Sequence, residues 1–218
     1  MTTPSPSGLD ASVRYLFEVG QLKLAKRTGW WHAGVPEPES IAEHTFRTAI
    51  IGYVLAVLEG AADPHLTAVM CLFHDVAEAR IGDIPNVARR YVSHAPDVRI
   101  AADQVQGMPP PLGAGILRLV AQFADQDTPE ARLAKDADRL ECVLQAREYE
   151  HQGFKNTRPW IDSNMAKLRS ATARRLAERA LTMPPDEWWK TFASPRVPEL
   201  VPSPRPGPLE REDRDVGD

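Results

Sequence analysis

The fold is decided by the segment EARLAKDADRLECVLQAREYE (residues 130–150), which has the periodicity of a long helix. Small and medium apolar side chains recur along it at spacings of three and four residues, and they therefore share one helix face: Ala131, Ala134, Ala137, Leu140 and Leu144. Small residues on such a face let neighbouring helices approach closely. We therefore predict a long helix over residues 130–152 that packs tightly against other helices.

The chain on both sides of this segment has the same periodicity. Ser40 is followed three positions later by Glu43, which is the capping-box signature of a helix start. Strand signals are scarce, because β-branched residues do not alternate with polar residues over any convincing stretch. The sequence predicts a compact all-α bundle of six or more helices, over residues 11–25, 40–59, 66–79, 111–125, 130–152 and 163–181.

Proline marks the two ends of the chain. Two of the first six residues are Pro, and residues 184–208 carry eight of the 20 prolines. The last stretch has few apolar residues and a mixed, mostly acidic run of charges, so it cannot bury enough surface to offset its ordering entropy. We predict one folded domain over residues 9–192, with disordered segments at 1–8 and 193–218.

Composition narrows the function classes. Lys plus Arg number 26 against 30 Asp plus Glu in 218 residues, for a net charge of −4, which argues against a nucleic-acid polymer as partner. The longest apolar run, 49–58, is too short to span a bilayer, and the first ten residues lack signal-peptide features. Cys71 and Cys142 lie in apolar helical patterns and are interpreted as reduced core thiols. We expect a soluble, cytoplasmic protein with no membrane partner.

Four polar side chains occupy positions where helix interiors are expected to be apolar. His44, the adjacent pair His74 and Asp75, and Asp138 each follow or interrupt an apolar pattern. A buried carboxylate without a partner costs several kcal/mol, so it should be paired, neutral or bound to a metal. Two imidazoles and two carboxylates are a plausible ligand set for Mn, Fe, Co, Ni or Zn. The alternatives stay open at this point: core histidines with satisfied hydrogen bonds, and ion pairing of Asp138 with a nearby Lys or Arg.

Four segments, in order, resemble the 5′-deoxynucleotidase group of the HD-domain phosphohydrolase superfamily. They are LAKRTGW (24–30), PESIAEH (38–44), HDVAEARIGDIP (74–85) and KDADRLECVLQAREYE (135–150). The resemblance extends over about residues 15 to 180. It implies a helical HD-domain bundle, a homodimer, and hydrolysis of deoxyribonucleoside 5′-monophosphates to deoxynucleoside and phosphate.

The resemblance also implies site residues. One divalent ion (Co, Mn, Mg, Fe, Ni or Zn) would be held by four metal ligands: His44, His74, Asp75 and Asp138. Glu78 would activate or position the attacking water, and Asp83 would lie near the leaving group or sugar. Arg27 would bind the substrate phosphate, with Trp30 beside it at the substrate.

Several alternatives accompany these assignments. Without a role at the site, Arg27 would be a solvated charge at a helix end, Glu78 would form an ion pair at the surface, and Asp83 would cap a turn. The same metal ligands would serve an enzyme acting on a nucleotide analogue, a triphosphate or an alarmone, although few basic residues accompany the motifs. A nucleotide-binding domain without turnover is the third hypothesis. Trp160, Trp188 and Trp189 are expected to be exposed and are the only hint of association in the sequence itself.

Overall fold

The described part of the protein, residues 5–190 and 192 of the computed structural model, is built from helices and contains no β-strand. Its ten α-helices are α1 (Pro6–Val19), α2 (Ile41–Glu59), α3 (Pro64–Phe73), α4 (Glu78–Ile81), α5 (Asp97–Gln104), α6 (Pro110–Asp125), α7 (Pro129–His151), α8 (Arg158–Met165), α9 (Ala171–Thr182) and α10 (Glu187–Lys190). The all-α prediction is confirmed.

Two units make up the chain: a main unit up to Pro185 and a short unit from Asp186, which contains α10. Trp188 and Trp189 belong to the short unit. The predicted C-terminal disorder at 193–218 falls outside the described residues, as do residues 1–4.

The core of the main unit lies where α2, α3, α7 and α9 meet. The small face of α7 is buried there, with Ala131, Ala134 and Ala137 fully enclosed, and Leu55 of α2 and Met70 of α3 pack in the same cluster. Alanines at these positions bring the helix axes close together, as the sequence predicts.

α2 begins at the predicted capping box. The Ser40 hydroxyl accepts a hydrogen bond from the Glu43 amide (3.2 Å), and the Glu43 carboxylate accepts one from the Ser40 amide (2.6 Å). α2 is long and apolar enough to cross a membrane by length and composition, but half of that window is buried inside the fold. Its inner side is part of the core, which accounts for the apolar residues on that side.

Three predicted helix boundaries are wrong. The first helix starts at Pro6, so residues 6–8 are helical rather than disordered, and it ends at Val19, after which a 3-10 turn (Gly20–Lys23) continues the chain. The predicted helix over 66–79 stops at Phe73, just before the His-Asp pair, and a separate short helix begins at Glu78. A helix over Asp97–Gln104 was not predicted.

The predicted helix over 163–181 is two helices, α8 and α9, and a distant carboxylate separates them. Asp136 of α7 is buried, and it accepts hydrogen bonds from the backbone amides of Arg169 (3.0 Å) and Ser170 (2.6 Å). Ser170 then caps α9, because its hydroxyl accepts from the Ala173 amide. These bonds fix a turn that the local sequence pattern does not reveal.

Candidate active site

Three helices bring the predicted metal ligands together. His44 lies in the first turn of α2, His74 and Asp75 directly follow α3, and Asp138 lies in α7. His44 Nε2 is 3.3 Å from Asp138 Oδ1, and His74 Nε2 is 3.0 Å from Asp75 Oδ2. The crossed separations, His44 Nε2 to Asp75 Oδ2 and His74 Nε2 to Asp138 Oδ1, are both 3.9 Å.

The ligand atoms of His44, His74 and Asp138 lie within 4.8 Å of one another, so these three side chains could hold one small ion, and Asp75 Oδ2 lies within 3.9 Å of both imidazoles. Two ligand atoms each about 2.1 Å from an ion lie roughly 3 to 4 Å apart, depending on the angle between them. His44 Nε2, His74 Nε2 and Asp75 Oδ2 are also buried with no hydrogen-bond partner among the described residues. Buried polar atoms are almost always satisfied, so a convergent group of unsatisfied ones indicates a ligand. The donor set suits a divalent metal.

A separate hydrogen bond orients each imidazole. His74 Nδ1 lies 2.6 Å from the carbonyl oxygen of Cys71, which can only accept, so this nitrogen carries the proton. His44 Nδ1 lies 2.5 Å from Glu141 Oε2. Both rings therefore direct Nε2 toward the carboxylates.

Cations around the two aspartates keep them ionised. Burial raises the pKa of Asp75 and of Asp138, but neighbouring positive groups outweigh it and lower both values. For Asp138 the main one is Lys135, whose Nζ lies 2.8 Å from Oδ2. Burial and the charge of Arg27 lower the pKa of His44, but the carboxylates of Glu141 and Asp138 outweigh them and raise it to about 10. A metal ion would take the place of that proton.

Arg27 and Asp83 lie beside the ligands. Arg27 Nη1 is 3.5 Å from Asp75 Oδ2 and 3.8 Å from Asp83 Oδ1, and its Nη2 donates to Cys142 Sγ (3.4 Å). Asp83 is itself held by the Thr28 hydroxyl (2.9 Å) and, more weakly, by the Gly29 amide (3.3 Å). Arg27 therefore points into the site, with 17% of its side chain exposed, and Asp83 fixes the turn that carries it.

Glu78 lies in the first turn of α4 with a buried Oε2 that has no hydrogen-bond partner among the described residues. Burial, followed by the charge of Asp75, raises the pKa of Glu78 to about 9. It lines the same cavity as Arg27, Asp75 and Asp138. A carboxyl group with such a pKa is suited to proton transfer.

Trp30 lines the cavity but exposes only 2% of its surface. Its Nε1 donates to Glu39 Oε1 (3.0 Å), and its ring stacks on Trp160 at 5.5 Å between centroids. Trp160 was expected to be an exposed association residue, and that expectation is wrong: it is half-buried and lines the cavity.

The cavity, of about 400 Å³, adjoins a second one of about 350 Å³. Residues common to both include Gly29, Asn86, Trp160, Asn164 and Lys167. Asn164, Lys167 and Arg89 also line the cavity, but none of them was predicted, because none belongs to a motif of the sequence. Asn164 lies in α8, Lys167 follows that helix, and Arg89 lies in a 3-10 turn (Ala88–Arg90), so only the tertiary fold brings the three together.

Cys71 and Cys142 are both buried and unbridged, which confirms the prediction of reduced core thiols. Cys142 also lines the cavity. Burial raises the pKa of both thiols, so neither is a thiolate nucleophile at neutral pH.

Comparison with known proteins gives consistent matches. The family described as HD domain matches residues 19–180. The chain is 34% identical over 157 residues to the 5′-deoxynucleotidase HDDC2 of Bos taurus, covering 69% of this chain and 73% of that one. It is 32% identical over 175 residues to the protein of the same name from Homo sapiens, covering 76% and 82%. A conserved hypothetical protein of Pyrococcus furiosus superposes with a TM-score of 0.65 at 28% identity, covering 78% of this chain and 99% of that one.

Proposed function

This chain belongs to the HD domain family, and we propose that it is a metal-dependent 5′-deoxynucleotidase, which hydrolyses deoxyribonucleoside 5′-monophosphates to deoxynucleoside and phosphate. Relatives that align with most of its length carry that activity in their names. The observation that carries the proposal is one cavity lined by the carboxylates Asp75 and Asp138, by a half-buried Arg27 and by Glu78, whose Oε2 atom is buried.

His44, His74, Asp75 and Asp138 would hold the divalent ion. When bound, such an ion supplies Lewis-acid polarisation of a phosphoryl oxygen and lowers the pKa of coordinated water. The chain itself keeps the two carboxylates ionised, through Lys135 at Asp138 and the positive groups around Asp75. The two aspartates are therefore in the protonation state that metal binding requires, whereas His44, with a pKa raised to about 10, would have to release a proton to the solvent.

Arg27 binds the phosphate. Burial would lower the pKa of its guanidinium, but Cys142 and the site carboxylates raise it well above the usual value, so it stays charged. Its contact to Asp83 fixes the side chain before substrate arrives. A planar cation fixed in this way matches the oxygens of a phosphate monoester.

Glu78 handles the proton. Water attacks phosphorus, the bond from phosphorus to the 5′-oxygen breaks, and one proton must pass from the water to the leaving oxygen. Because a pKa of about 9 leaves Glu78 protonated at neutral pH, it would donate its proton to the leaving 5′-oxygen and take one back from the attacking water.

The second cavity supports a nucleoside as the leaving group. With the phosphate at Arg27, a sugar and base would extend past Trp160 toward Asn164. An indole face and a side-chain amide are the groups that stack on a base and hydrogen-bond to its edge. Arg89 and Lys167 add two cations to the cavity wall, which favours a nucleotide carrying a second anionic group as the alternative substrate.

A homodimer is part of the proposal. The outer side of α2 exposes Phe46 (65%), Ile50 (50%) and Val57 (53%) at helical spacing, and an apolar surface of this kind supports association. Light scattering should give twice the chain mass, and Phe46→Glu should halve it. A mass of 24.2 kDa for the unmodified chain would overturn the dimer. We also propose that the protein acts in the cytoplasm, without a nucleic-acid or membrane partner.

The test is phosphate release from 5′-monophosphates, deoxy and ribo, after chelation and re-addition of Co²⁺, Mn²⁺, Mg²⁺ or Zn²⁺. We expect release from deoxynucleotides that depends on metal, is lost in Asp75→Ala and is retained in Asp125→Ala, a matched change at an exposed aspartate of α6. Including nucleoside diphosphates, triphosphates and 3′,5′-bisphosphates tests the alternative substrate. Metal-bound protein that releases phosphate from none of them would overturn the proposed function.

A further inference from the structure

A fully buried carboxylate, Glu141 in α7, contacts one of the metal-ligand histidines from behind. Its Oε2 lies 2.5 Å from His44 Nδ1, and neither side chain has any exposed surface. Its other oxygen, Oε1, accepts hydrogen bonds from Arg47 Nε (3.0 Å) and Nη2 (2.7 Å). Both oxygens of Glu141 are therefore committed to α2.

Glu141 is not itself placed to hold the ion. His44, Glu141 and Cys142 form a group of candidate metal-binding atoms, with His44 contributing through Nδ1. A gap of 2.5 Å between Nδ1 and Oε2 is a strong hydrogen bond, and it is shorter than the roughly 3 Å that separates two ligands at right angles on one ion. The ion belongs on the opposite nitrogen, Nε2.

Arg47 fixes the position of Glu141. It lies one helical turn after His44 in α2, and besides Glu141 it donates to Gln145 (2.7 Å) and Glu148 (2.6 Å) of α7. The guanidinium thus spans two turns of α7 and offsets the charge of a carboxylate that no water reaches. His44 and Arg47, on one side of α2, meet Glu141 together.

We propose that Glu141 and Arg47 are positioning residues for the metal centre: Glu141 accepts the Nδ1 proton of His44, and Arg47 holds Glu141, so that Nε2 presents its lone pair to the ion. The proposal rests on the metal site of the proposed function. The other ligand histidine, His74, is oriented only by a neutral backbone carbonyl. Carboxylate partners of this kind raise ligand basicity, and their loss costs about 10- to 100-fold in metal affinity.

The test is metal affinity of the full chain, stripped with chelator and titrated with Zn²⁺ against a chromophoric competitor. Glu141→Gln should weaken Zn²⁺ binding by about 10-fold or more, and ¹⁵N shifts of His44 should show a changed tautomer population. Glu150→Gln is the matched control, since Glu150 lies in the same helix and pairs with Arg147, away from the site. Its affinity should equal that of the unmodified chain.

If Glu141→Gln does not fold, Arg47→Lys provides the second test. It keeps the positive charge but loses the pair of hydrogen bonds that Arg47 Nε and Nη2 donate to Glu141. It should weaken Zn²⁺ binding by roughly threefold or more. A folded Glu141→Gln with unchanged Zn²⁺ affinity and tautomer would overturn the positioning role. If only Arg47→Lys folds, an unchanged Zn²⁺ affinity in that variant would also overturn the positioning role. If the unmodified chain binds no metal, the proposed function fails instead, so the two failures are distinguishable.

Discussion

Gly52 of α2 leaves little room for a side chain against α3, and we expect Gly52→Ala to destabilise the protein. A Cβ at this position would lie 2.7 Å from Cys71 Sγ and 3.3 Å from Thr67 Cγ2, both in α3. Alanine in a helix interior is normally better than glycine by about 1 kcal/mol. Overpacking a core costs about 1 to 3 kcal/mol, so the net loss is about 1 kcal/mol.

Gly115 provides the matched comparison. It lies inside α6, and an added Cβ there would meet nothing within 4 Å. Gly115→Ala should therefore stabilise by about 0.5 to 1 kcal/mol, through helix propensity alone. The assay is urea unfolding of both variants and the unmodified chain, all without metal. The expected signs are opposite.

The predicted destabilisation in Gly52→Ala comes mainly from the contact with Cys71 Sγ, and a double variant tests this. Cys71→Ala removes the Sγ atom, so it should cost less stability in the Gly52→Ala background than in the unmodified chain. The Cys71 carbonyl also orients His74, so Gly52→Ala should weaken metal binding while Gly115→Ala should not. Gly52→Ala as stable as Gly115→Ala would refute the close approach of α2 and α3.

Three further predictions concern Glu39, which accepts a hydrogen bond from Trp30, and the cavity residues Trp160 and Glu78. Burial and the charge of Glu141 raise the pKa of Glu39 from 4.5 to about 7, so this group favours folding below pH 4.5 and its contribution is lost as pH rises through 7. Glu39→Gln cannot titrate but keeps an acceptor for the Trp30 indole, so the fall in unfolding free energy between pH 5 and pH 8 should be smaller in this variant by up to about 3 kcal/mol. The measurement is unfolding at both pH values, and an equal fall in the variant and the unmodified chain would contradict the prediction. Trp160→Ala should raise KM for a deoxynucleotide about tenfold and leave KM for deoxyribose 5-phosphate, which has no base, unchanged. Glu78→Gln should lower kcat by about 100-fold or more with full metal content, and loss of bound metal would instead assign Glu78 to the ligands.

The helices with strong periodicity could be predicted from the sequence alone. α2 and α7 carry long apolar faces, and the capping box at Ser40 fixes where α2 begins. The ordered motifs also indicated which side chains converge, because each of His44, His74 and Asp138 interrupts an apolar pattern. In each case the signal lies within one helix turn or one motif.

Long-range contacts explain what could not be predicted. α8 and α9 are separate helices because Asp136 of α7 holds the amides of Arg169 and Ser170. That turn places α8, with Trp160 and Asn164, along the cavity. A local pattern contains no information about a carboxylate more than thirty positions away, so both the boundary and the cavity wall were missed.

The helices that form the hydrophobic core also position the metal ligands. The ligands come from α2, the end of α3 and α7, which are the helices that pack against one another most closely through Gly52 and the alanine face of α7. The separations of 3.3 to 3.9 Å between ligands of different elements therefore depend on core packing as much as on the side chains themselves. A core variant should consequently alter metal affinity in proportion to the shift of α3, even where it touches no ligand. Trp160→Ala, which changes the cavity and none of the ligands, should instead alter KM while the metal affinity stays unchanged.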